Sequence, residues 1–259
     1  MSHHADKTRV TILGCGGSGG NPHVGDRWYD TDRTNPKNRR RRASILVERG
    51  GTRVLVDTSP DLRAQALDAG FGDVDAVIFT HDHADHCHGI YDLLVMVVVN
   101  RHGRPVPAFG WADVLARIER RFDYVFHGSE GYQPLIEPKP ITGPFRIGEL
   151  EVLPFEQDHG NMVSTGLSFG DIAYSTDLIR MPEAGFAALA GVRVWIVAAL
   201  RHAPHPTHAN LETALGWIAR VKPERAIITH MAGQLDYDTL CRTLPRGVEP
   251  GFDGLTIEV

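Results

Sequence analysis

The stretch FTHDHADHCHG, residues 79–89, holds four histidines, two aspartates and one cysteine, all residue types that can bind a metal ion. Neutral imidazole combined with carboxylate suits Zn, Mn or Fe. His81 and His83 are close enough along the chain to chelate one ion, and Asp85 and His86 follow directly. A structural zinc site favours cysteine and closes with four ligands, whereas this stretch has one cysteine and too many ligands for one tetrahedral ion. We therefore expect a metal site that performs chemistry.

Three apolar runs that are far apart in the sequence each end in a residue that can bind metal. IFTH ends at His81, YSTD ends at Asp177, and IITH ends at His230. Strand ends that carry such residues are expected on one rim of a sheet, which is where catalytic residues lie in α/β architectures. The three residues should therefore cluster in the folded protein.

Runs of β-branched and apolar residues bounded by glycine predict the strands that position these side chains. The predicted strands are RVTILG, the two halves of ASILVERGGTRVLVDTS joined by a turn at Gly50–Gly51, VDAVIFT, GELEVLPFE, VSTGLSFG, DIAYSTD, VRVWIVAAL and ERAIITH. Residues 127–144 are rich in proline and glycine and are expected to form an exposed loop.

Helices are predicted over SPDLRAQALDAG, ADVLARIERRFDYVF and ANLETALGWIARV. In the first of these, Ser59 is the expected cap, Pro60 suits the first helical position, and Gly70 closes the helix. Strands that alternate with helices, together with hairpins, predict a mixed sheet or two sheets with helices on the outside.

Composition sets the broad class of protein. A length of 259 residues suits one large domain, residues 1–259, with a flexible segment over residues 1–7. The net charge of −5 argues against a general nucleic-acid binder, and three widely spaced cysteines argue against a disulfide framework. The chain shows no signal-peptide pattern, and its most apolar run is interrupted by Asp92 and too short to span a bilayer. We therefore expect a soluble, cytoplasmic protein without a membrane partner.

HDHADH, residues 81–86, fits the pattern His-x-His-x-Asp-His, and the chain resembles the metallo-β-lactamase superfamily from about residue 8 to its C-terminus. The supporting positions are Asp57 in VLVDTS, His159 in QDHG, Asp177 in YSTD and His230 in ITH. The resemblance implies a four-layer αβ/βα sandwich, in which two mixed β-sheets are flanked by helices.

The same resemblance implies a division of the ligands between two divalent ions, either Zn or Mn. One ion would be held by His81, His83 and His159, the other by Asp85, His86 and His230, with Asp177 bridging them. Asp57 would orient an imidazole without touching metal, and Asp85 is also a catalytic candidate. Two such ions lower the pKa of a bound water to about 7, which makes a nucleophile near neutral pH. Asp82, Cys87 and His88 lie outside the pattern.

The segment ALRHAPHPTHANLETAL, residues 199–215, resembles the extra histidine motif of the phosphodiesterase branch, which includes tRNase Z. The resemblance implies that His208, at the start of a helix, faces the scissile phosphate. A protonated histidine there could stabilise the developing charge or protonate the leaving oxygen. His205 is the alternative for this role, and His202 is expected to be structural.

The N-terminal region LGCGGSGGNPHVGD, with TSPDLR and the later THM, resembles the PhnP-like phosphodiesterase family. Members of that family cleave small cyclic phosphates, such as ribosyl cyclic phosphate and 2′,3′-cyclic nucleotides. The chain departs from this family because residues 23–42 contain no cysteine. The family member in the carbon–phosphorus lyase pathway has a cysteine-rich insertion there that binds a structural zinc, so we expect that zinc to be absent from this chain. The glycine loop, residues 14–20, is expected beside the metal site, where Ser18 is a candidate substrate contact.

These expectations define a metal-dependent phosphodiesterase that acts on small cyclic phosphates or nucleotide-like phosphodiesters. A tRNA-processing nuclease is one alternative, although the acidic chain lacks a long basic, glycine-rich arm and should form no stable nucleic-acid complex. A thioesterase or lactamase and a non-enzymatic metal-binding module are the others. Arg39–Arg42 is either a solvated run or a source of an arginine that reaches a phosphate or a neighbouring subunit. A homodimer is the expected assembly.

Overall fold

The computed structural model describes residues 7–259, whose strands form two seven-stranded sheets. The predicted flexible N-terminus lies outside the described residues, apart from Lys7. The strands are β1 (Arg9–Gly14), β2 (Ser44–Arg49), β3 (Thr52–Val56), β4 (Ala76–Ile78), β5 (Val106–Gly110), β6 (Ile136–Pro140), β7 (Phe145–Ile147), β8 (Leu150–Asp158), β9 (Val163–Phe169), β10 (Ile172–Ser175), β11 (Val194–Ala198), β12 (Arg225–Thr229), β13 (Val248–Pro250) and β14 (Thr256–Glu258).

Short helices connect the strands. The α-helices are α1 (Leu62–Ala69), α2 (Ala84–Cys87), α3 (Leu93–Val95), α4 (Ala112–Arg121), α5 (Asp123–His127), α6 (Glu183–Ala188), α7 (Leu211–Val221) and α8 (Tyr237–Thr243). The apolar segment that contains α3 continues as a π-helix over Met96–Asn100. Among the described residues, no helix combines the length and the apolar character needed to cross a membrane.

Both sheets are mixed and follow the same plan. The first has the order β14-β1-β2-β3-β4-β5-β6, and the second has the order β13-β12-β11-β10-β9-β8-β7. In the first sheet β3, β4, β5 and β6 run parallel, and in the second β10, β11, β12 and β13 do so. The other neighbours are antiparallel. Each sheet therefore has a parallel half, and the carboxyl ends of that half can gather catalytic residues at one edge.

The two faces of the first sheet contribute to two separate hydrophobic cores. Along β2, Ile45 and Val47 point into the core that also contains the second sheet, whereas Leu46 points into a core with α1 and α4. This alternation follows from the period of two along a strand. Helix α7 packs on the second sheet through Ala214 and Ile218. Helices therefore cover the outside of two stacked sheets, which confirms the predicted two-sheet arrangement.

Three predictions about individual elements were wrong. Helix α1 begins at Leu62 with Asp61 at its N-cap, and the hydroxyl of Ser59 accepts from the Asp61 backbone amide instead of capping the helix. The second predicted helix breaks at Phe122 into α4 and α5. Residues 127–144, predicted as a loop, contain β6, whose prolines fit because the strand lies at the edge of the sheet and is paired only with β5.

Candidate metal centre

The parallel strands deliver their polar residues to one edge of the two sheets. Asp57 follows β3, His81 comes three residues after β4, Asp177 comes two residues after β10, and His230 follows β12. All four are buried, with 0% of each residue exposed. The predicted convergence of His81, Asp177 and His230 is therefore present, and it brings together residues from both sheets.

Three of these residues have left-handed backbone conformations. Asp57 has φ of 63°, Asp177 of 49° and His230 of 54°. A residue other than glycine in this region costs on the order of 1–3 kcal/mol and persists only where the surroundings impose it. The hydroxyl of Ser44 donates to the Asp57 carbonyl at 2.9 Å, and the hydroxyl of Ser164 donates to the Asp177 carbonyl at 2.6 Å. A buried serine from a neighbouring antiparallel strand thus stabilises each of the two aspartate turns.

The side chains form two groups whose candidate ligand atoms lie within 4.8 Å of one another. The first group contains His81, His83, His159 and Asp177, and the second contains Asp85, His86, Asp177 and His230. The division between the groups is the one that the resemblance implied. Among these residues only His83 is exposed, so the first group is the one that opens to solvent.

Asp177 belongs to both groups because its two oxygens face different histidines. Its Oδ1 lies 3.0 Å from His230 Nε2 and 3.2 Å from His86 Nε2. Its Oδ2 lies 3.6 Å from the Nε2 atoms of both His81 and His159. A carboxylate placed in this way can bind one ion with each oxygen and screen the repulsion between the two ions.

Several nitrogen and oxygen atoms of the cluster have no hydrogen-bond partner among residues 7–259. They are His81 Nε2, Asp85 Oδ2, His86 Nε2, Asp177 Oδ2, His208 Nδ1 and His230 Nε2. Buried polar atoms without partners are costly, and their convergence at one point indicates a ligand that supplies the missing interactions. Imidazole nitrogens and carboxylate oxygens are the donor set that divalent metals accept, so these residues fit a metal centre.

Residues behind the cluster fix the orientation of two of its histidines, His86 and His159. Nδ1 of His86 lies 2.7 Å from Asp57 Oδ2, and Asp57 also accepts from the amide and hydroxyl of Thr80. Nδ1 of His159 donates to the Thr207 carbonyl at 2.8 Å. Each contact leaves the Nε2 atom free to face the centre, which is the usual arrangement behind metal-binding imidazoles. Asp57 therefore lies where an orienting residue is needed, and that role remains a prediction.

Burial and neighbouring charges shift the pKa values of these groups. Burial, reinforced by His86, lowers the pKa of His81 well below its ordinary value. Burial also disfavours charge on His86, but Asp177, Asp85 and Asp57 together raise its pKa. Without ions, the carboxylates therefore retain a proton on His86, and a divalent ion would have to displace that proton. Metal binding to the second group should consequently weaken as the pH falls.

The predicted substrate residues lie at different depths around the cluster. His208 is 8% exposed, its Nδ1 is 3.8 Å from Asp177 Oδ2, and its ring stacks on His230 with centroids 5.0 Å apart. The ring of His205 lies 5.0 Å beyond that of His208 and is partly exposed. Ser18 is exposed in the turn after Gly17, and a Cβ on Gly17 would lie 3.6 Å from His230 Cε1. His208 is thus the inner histidine of the pair.

The ionisation of His208 differs from the expectation of a protonated ring. Burial lowers the pKa of His208 to about 3, even though Asp177 acts in the opposite direction. The free protein therefore holds a neutral imidazole at physiological pH. A phosphate group in contact with the ring would raise this pKa, because its negative charge favours the imidazolium form.

Asp82 is a buried residue outside the ligand pattern, and its partners could not be predicted from the sequence. It lies between His81 and His83, is 3% exposed, and accepts from Arg117 Nε at 2.8 Å and Arg121 Nη2 at 2.5 Å. Arg121 also donates to the Asp82 carbonyl. Helix α4 thereby holds the segment that carries two candidate ligands. The only local signal was an aspartate between two histidines, because its arginine partners lie more than 30 residues away.

The run Arg39–Arg42 has mainly structural contacts. Arg40 is 2% exposed and donates to the carbonyls of Ala232 and Leu235. These two hydrogen bonds brace the segment after His230. Arg41 pairs with Asp68 and Arg42 pairs with Asp61. Arg39 is exposed and has no ion pair within the described part of the chain. Of the four, Arg39 has the most accessible side chain, and Arg41 and Arg42 are partly exposed beside their carboxylate partners.

The fold and the histidine–aspartate cluster identify the class of protein. The family model described as a β-lactamase superfamily domain matches residues 52–231, and the chain belongs to this superfamily. A solved structure described as a new diphosphatase from the PhnP family is 31% identical, with a TM-score of 0.90, and the match covers 98% of this chain and 97% of that one. Within the superfamily, the chain therefore belongs to the PhnP-like branch, which confirms the resemblance found in the sequence.

Other relatives match less completely. An octanoyltransferase from Porphyromonas gingivalis is 31% identical over 95% of this chain and 51% of its own length. A ribonuclease Z from Methanopyrus kandleri is 31% identical over 52% of this chain and 46% of its own. The chain thus spans about half the length of these curated relatives, so their names do not assign its activity. Human tRNase Z, short form, shares the fold, with a TM-score of 0.70 at 16% identity. That structural match covers 96% of this chain and 98% of the human one.

Proposed function

We propose that this chain is a hydrolase that uses two divalent metal ions, either Zn or Mn, to cleave phosphodiester bonds in small cyclic phosphates or nucleotide-like substrates. The observation that carries the proposal is the position of Asp177, whose two oxygens face two separate groups of imidazoles. One ion would need only one such group. Two groups that share one carboxylate support a dinuclear centre.

The proposed ligands of the first ion are His81, His83 and His159, those of the second are Asp85, His86 and His230, and Asp177 would serve both. When bound, the ions would stabilise negative charge at phosphorus and acidify the attacking water. Asp57 behind His86 and the Thr207 carbonyl behind His159 would hold these two imidazoles in position for the ions. The left-handed turns at Asp177 and His230 direct both side chains inward before any substrate binds.

His208 is the proposed catalytic residue beside the metal ligands. Its ring lies between those of His159 and His230, with centroid distances of 4.8 Å and 5.0 Å, so it borders both ligand groups. In the free protein the ring is neutral and can donate one N–H to a phosphate oxygen. A bound phosphate would favour protonation of the ring, after which His208 could protonate the leaving oxygen.

Phosphodiester chemistry is favoured over lactam or thioester hydrolysis by His208 and by the family membership. A neutral carbonyl substrate needs no further charged or donor group at the position of His208, whereas a phosphate has additional oxygens to satisfy. Cleavage of a diphosphate is a second candidate, because the PhnP-family structure of 31% identity is described as a diphosphatase. Both candidates place a phosphate group against the same residues.

A substrate panel with protein of measured metal content tests the proposal. Turnover of bis(p-nitrophenyl) phosphate, 2′,3′-cyclic nucleotides and a nucleoside diphosphate ester should be metal-dependent and exceed that of a thioester and a lactam. His208→Ala should lower phosphodiester turnover about 100-fold while the metal content stays unchanged. Clear thioester turnover without phosphodiester cleavage would overturn the proposal, and loss of metal in His208→Ala would overturn the role of that residue.

A further inference from the structure

The loop of residues 21–40 carries aromatic and cationic side chains that the metal centre does not use. Tyr29 is 50% exposed, and His23 and Trp28 are partly exposed beside it. The Arg39 guanidinium lies 5.1 Å from the centroid of the Trp28 ring and has no ion pair within residues 7–259. His23, Trp28, Tyr29 and Arg39 are together called the aromatic shelf.

Contacts inside the loop support the rings of Trp28 and Tyr29. The Tyr29 hydroxyl lies 2.8 Å from His23 Nδ1, and the two rings meet edge to face with centroids 4.9 Å apart. The Trp28 indole N–H donates to Asp26 at 2.7 Å. Tyr29 has φ of 53°, a left-handed conformation that a bulky residue adopts only when its surroundings impose it. A side chain that is strained, fixed and exposed is typical of a binding site more than of a simple surface loop.

The shelf contacts two segments that lie beside His230, a member of the second ligand group. A Cβ on Gly19, two residues after the glycine that packs on His230, would lie 2.7 Å from His23 Nε2. A Cβ on Gly233, three residues after His230, would lie 2.8 Å from Tyr29 Cδ2. The Gly233 carbonyl also accepts from the Asp30 amide at 3.0 Å. The shelf therefore rests on the two segments that flank His230.

The chemistry of the shelf fits one particular part of a substrate. An exposed aromatic ring binds a planar base by stacking, and an unpaired guanidinium attracts negative charge. We propose that the aromatic shelf binds the nucleobase of a mononucleotide substrate whose phosphate lies at the metal centre. This inference rests on the proposed function and narrows its substrate class from small phosphodiesters to base-bearing ones. A single shelf and a net charge of −5 favour a mononucleotide over RNA.

Two substrates with the same reacting group separate base recognition from chemistry. Metal-loaded protein would be assayed with adenosine 2′,3′-cyclic phosphate and with methyl riboside 2,3-cyclic phosphate, which lacks the base. Tyr29→Ala should raise the KM for the adenosine substrate about 10-fold, with little change in kcat. The kinetic constants for the base-free substrate should not change. Val24→Ala alters an exposed position of the same loop and should resemble the unmodified protein. Tyr29→Phe keeps the ring but loses the contact with His23, so its KM for the adenosine substrate should lie between those of the unmodified protein and Tyr29→Ala.

Calorimetric binding supplies a measurement that does not depend on turnover. Tyr29→Ala should weaken the binding of adenosine monophosphate to the metal-loaded protein about 10-fold and leave the binding of inorganic phosphate unchanged. If the unmodified protein cleaves neither substrate, the proposed function fails and these titrations still decide the role of the shelf. Equal losses for both substrates, or for both titrants, would assign Tyr29 to structure. Unchanged adenosine constants, or losses confined to an RNA substrate, would also overturn the inference.

Discussion

Replacing Asp82 with asparagine would remove the charge that ties helix α4 to the segment of candidate metal ligands. The Asp82 side chain is 4% exposed and receives hydrogen bonds from Arg117 and Arg121. Asparagine has nearly the same volume, so the substitution leaves the packing intact. Its amide would place N–H donors against an arginine that also carries only donors.

The structure sets the expected size of the effect. Hydrogen bonds to charged groups contribute about 1.5–3 kcal/mol each, and removing one member of a buried pair costs about 3–5 kcal/mol. The side chains of Arg117 and Arg121 remain 29% and 44% exposed, so both can regain water when the carboxylate is lost. We therefore expect Asp82→Asn to lower the free energy of unfolding by about 2–4 kcal/mol.

Metal binding should weaken as well, because Asp82 lies between His81 and His83. Changes in residues that orient metal ligands typically lower metal affinity about 10–100-fold. Urea unfolding of chelator-treated protein would measure the stability, and titration with Zn²⁺ or Mn²⁺ would measure the affinity. Asp113→Asn is the matched control, since Asp113 pairs with the same Arg117 at 2.8 Å but its side chain is 69% exposed. This control should change the free energy of unfolding by less than about 1 kcal/mol.

Two results would refute this reasoning. If Asp82→Asn and Asp113→Asn had equal unfolding midpoints, the buried ion pairs would contribute no more than an exposed one. If Asp82→Asn lost stability but bound metal normally, the link between α4 and the ligand segment would be wrong.

Three further predictions address the centre and its surroundings. Asp85→Ala should reduce the metal content from about two ions to about one per chain, and retention of both by elemental analysis would contradict the ligand division. Ser164→Ala leaves the strained Asp177 turn without its hydroxyl donor, so the free energy of unfolding measured in urea should fall by about 1–3 kcal/mol. This decrease should be larger than that caused by Ser168→Ala on the same strand. Burial raises the pKa of Asp253 to about 6, above its value of about 3.9 in the unfolded chain. Its contribution to stability is therefore present below pH 4 and lost as the pH rises through 6. Between pH 4 and 7 the free energy of unfolding of the unmodified protein should fall by about 2 kcal/mol more than that of Asp253→Asn. If urea unfolding gave the same pH dependence for the two proteins, this prediction would be refuted.

Local patterns in the sequence were sufficient for much of the fold. The hairpin of β2 and β3 was predictable because a Gly-Gly pair, which readily adopts positive φ, separates two β-branched runs. In the structure Gly50 and Gly51 both have positive φ. By contrast, β6 was not recognised because it contains prolines and occupies a sheet edge, where it is defined by pairing with β5. The pairing of β14 with β1 joins the two ends of the described chain, and no local signal could indicate it.

The sequence by itself determined the chemistry available at the site and the identity of its family. The pattern from His81 to His86 is local, because a strand end followed by a short helix brings these ligands together. Only the tertiary structure decided how Asp177 faces both ligand groups, how Asp82 is held by α4, and how Tyr29 packs against Gly233. These arrangements depend on contacts between residues far apart in the chain and on backbone conformations that packing imposes, and a linear pattern of residue types specifies neither.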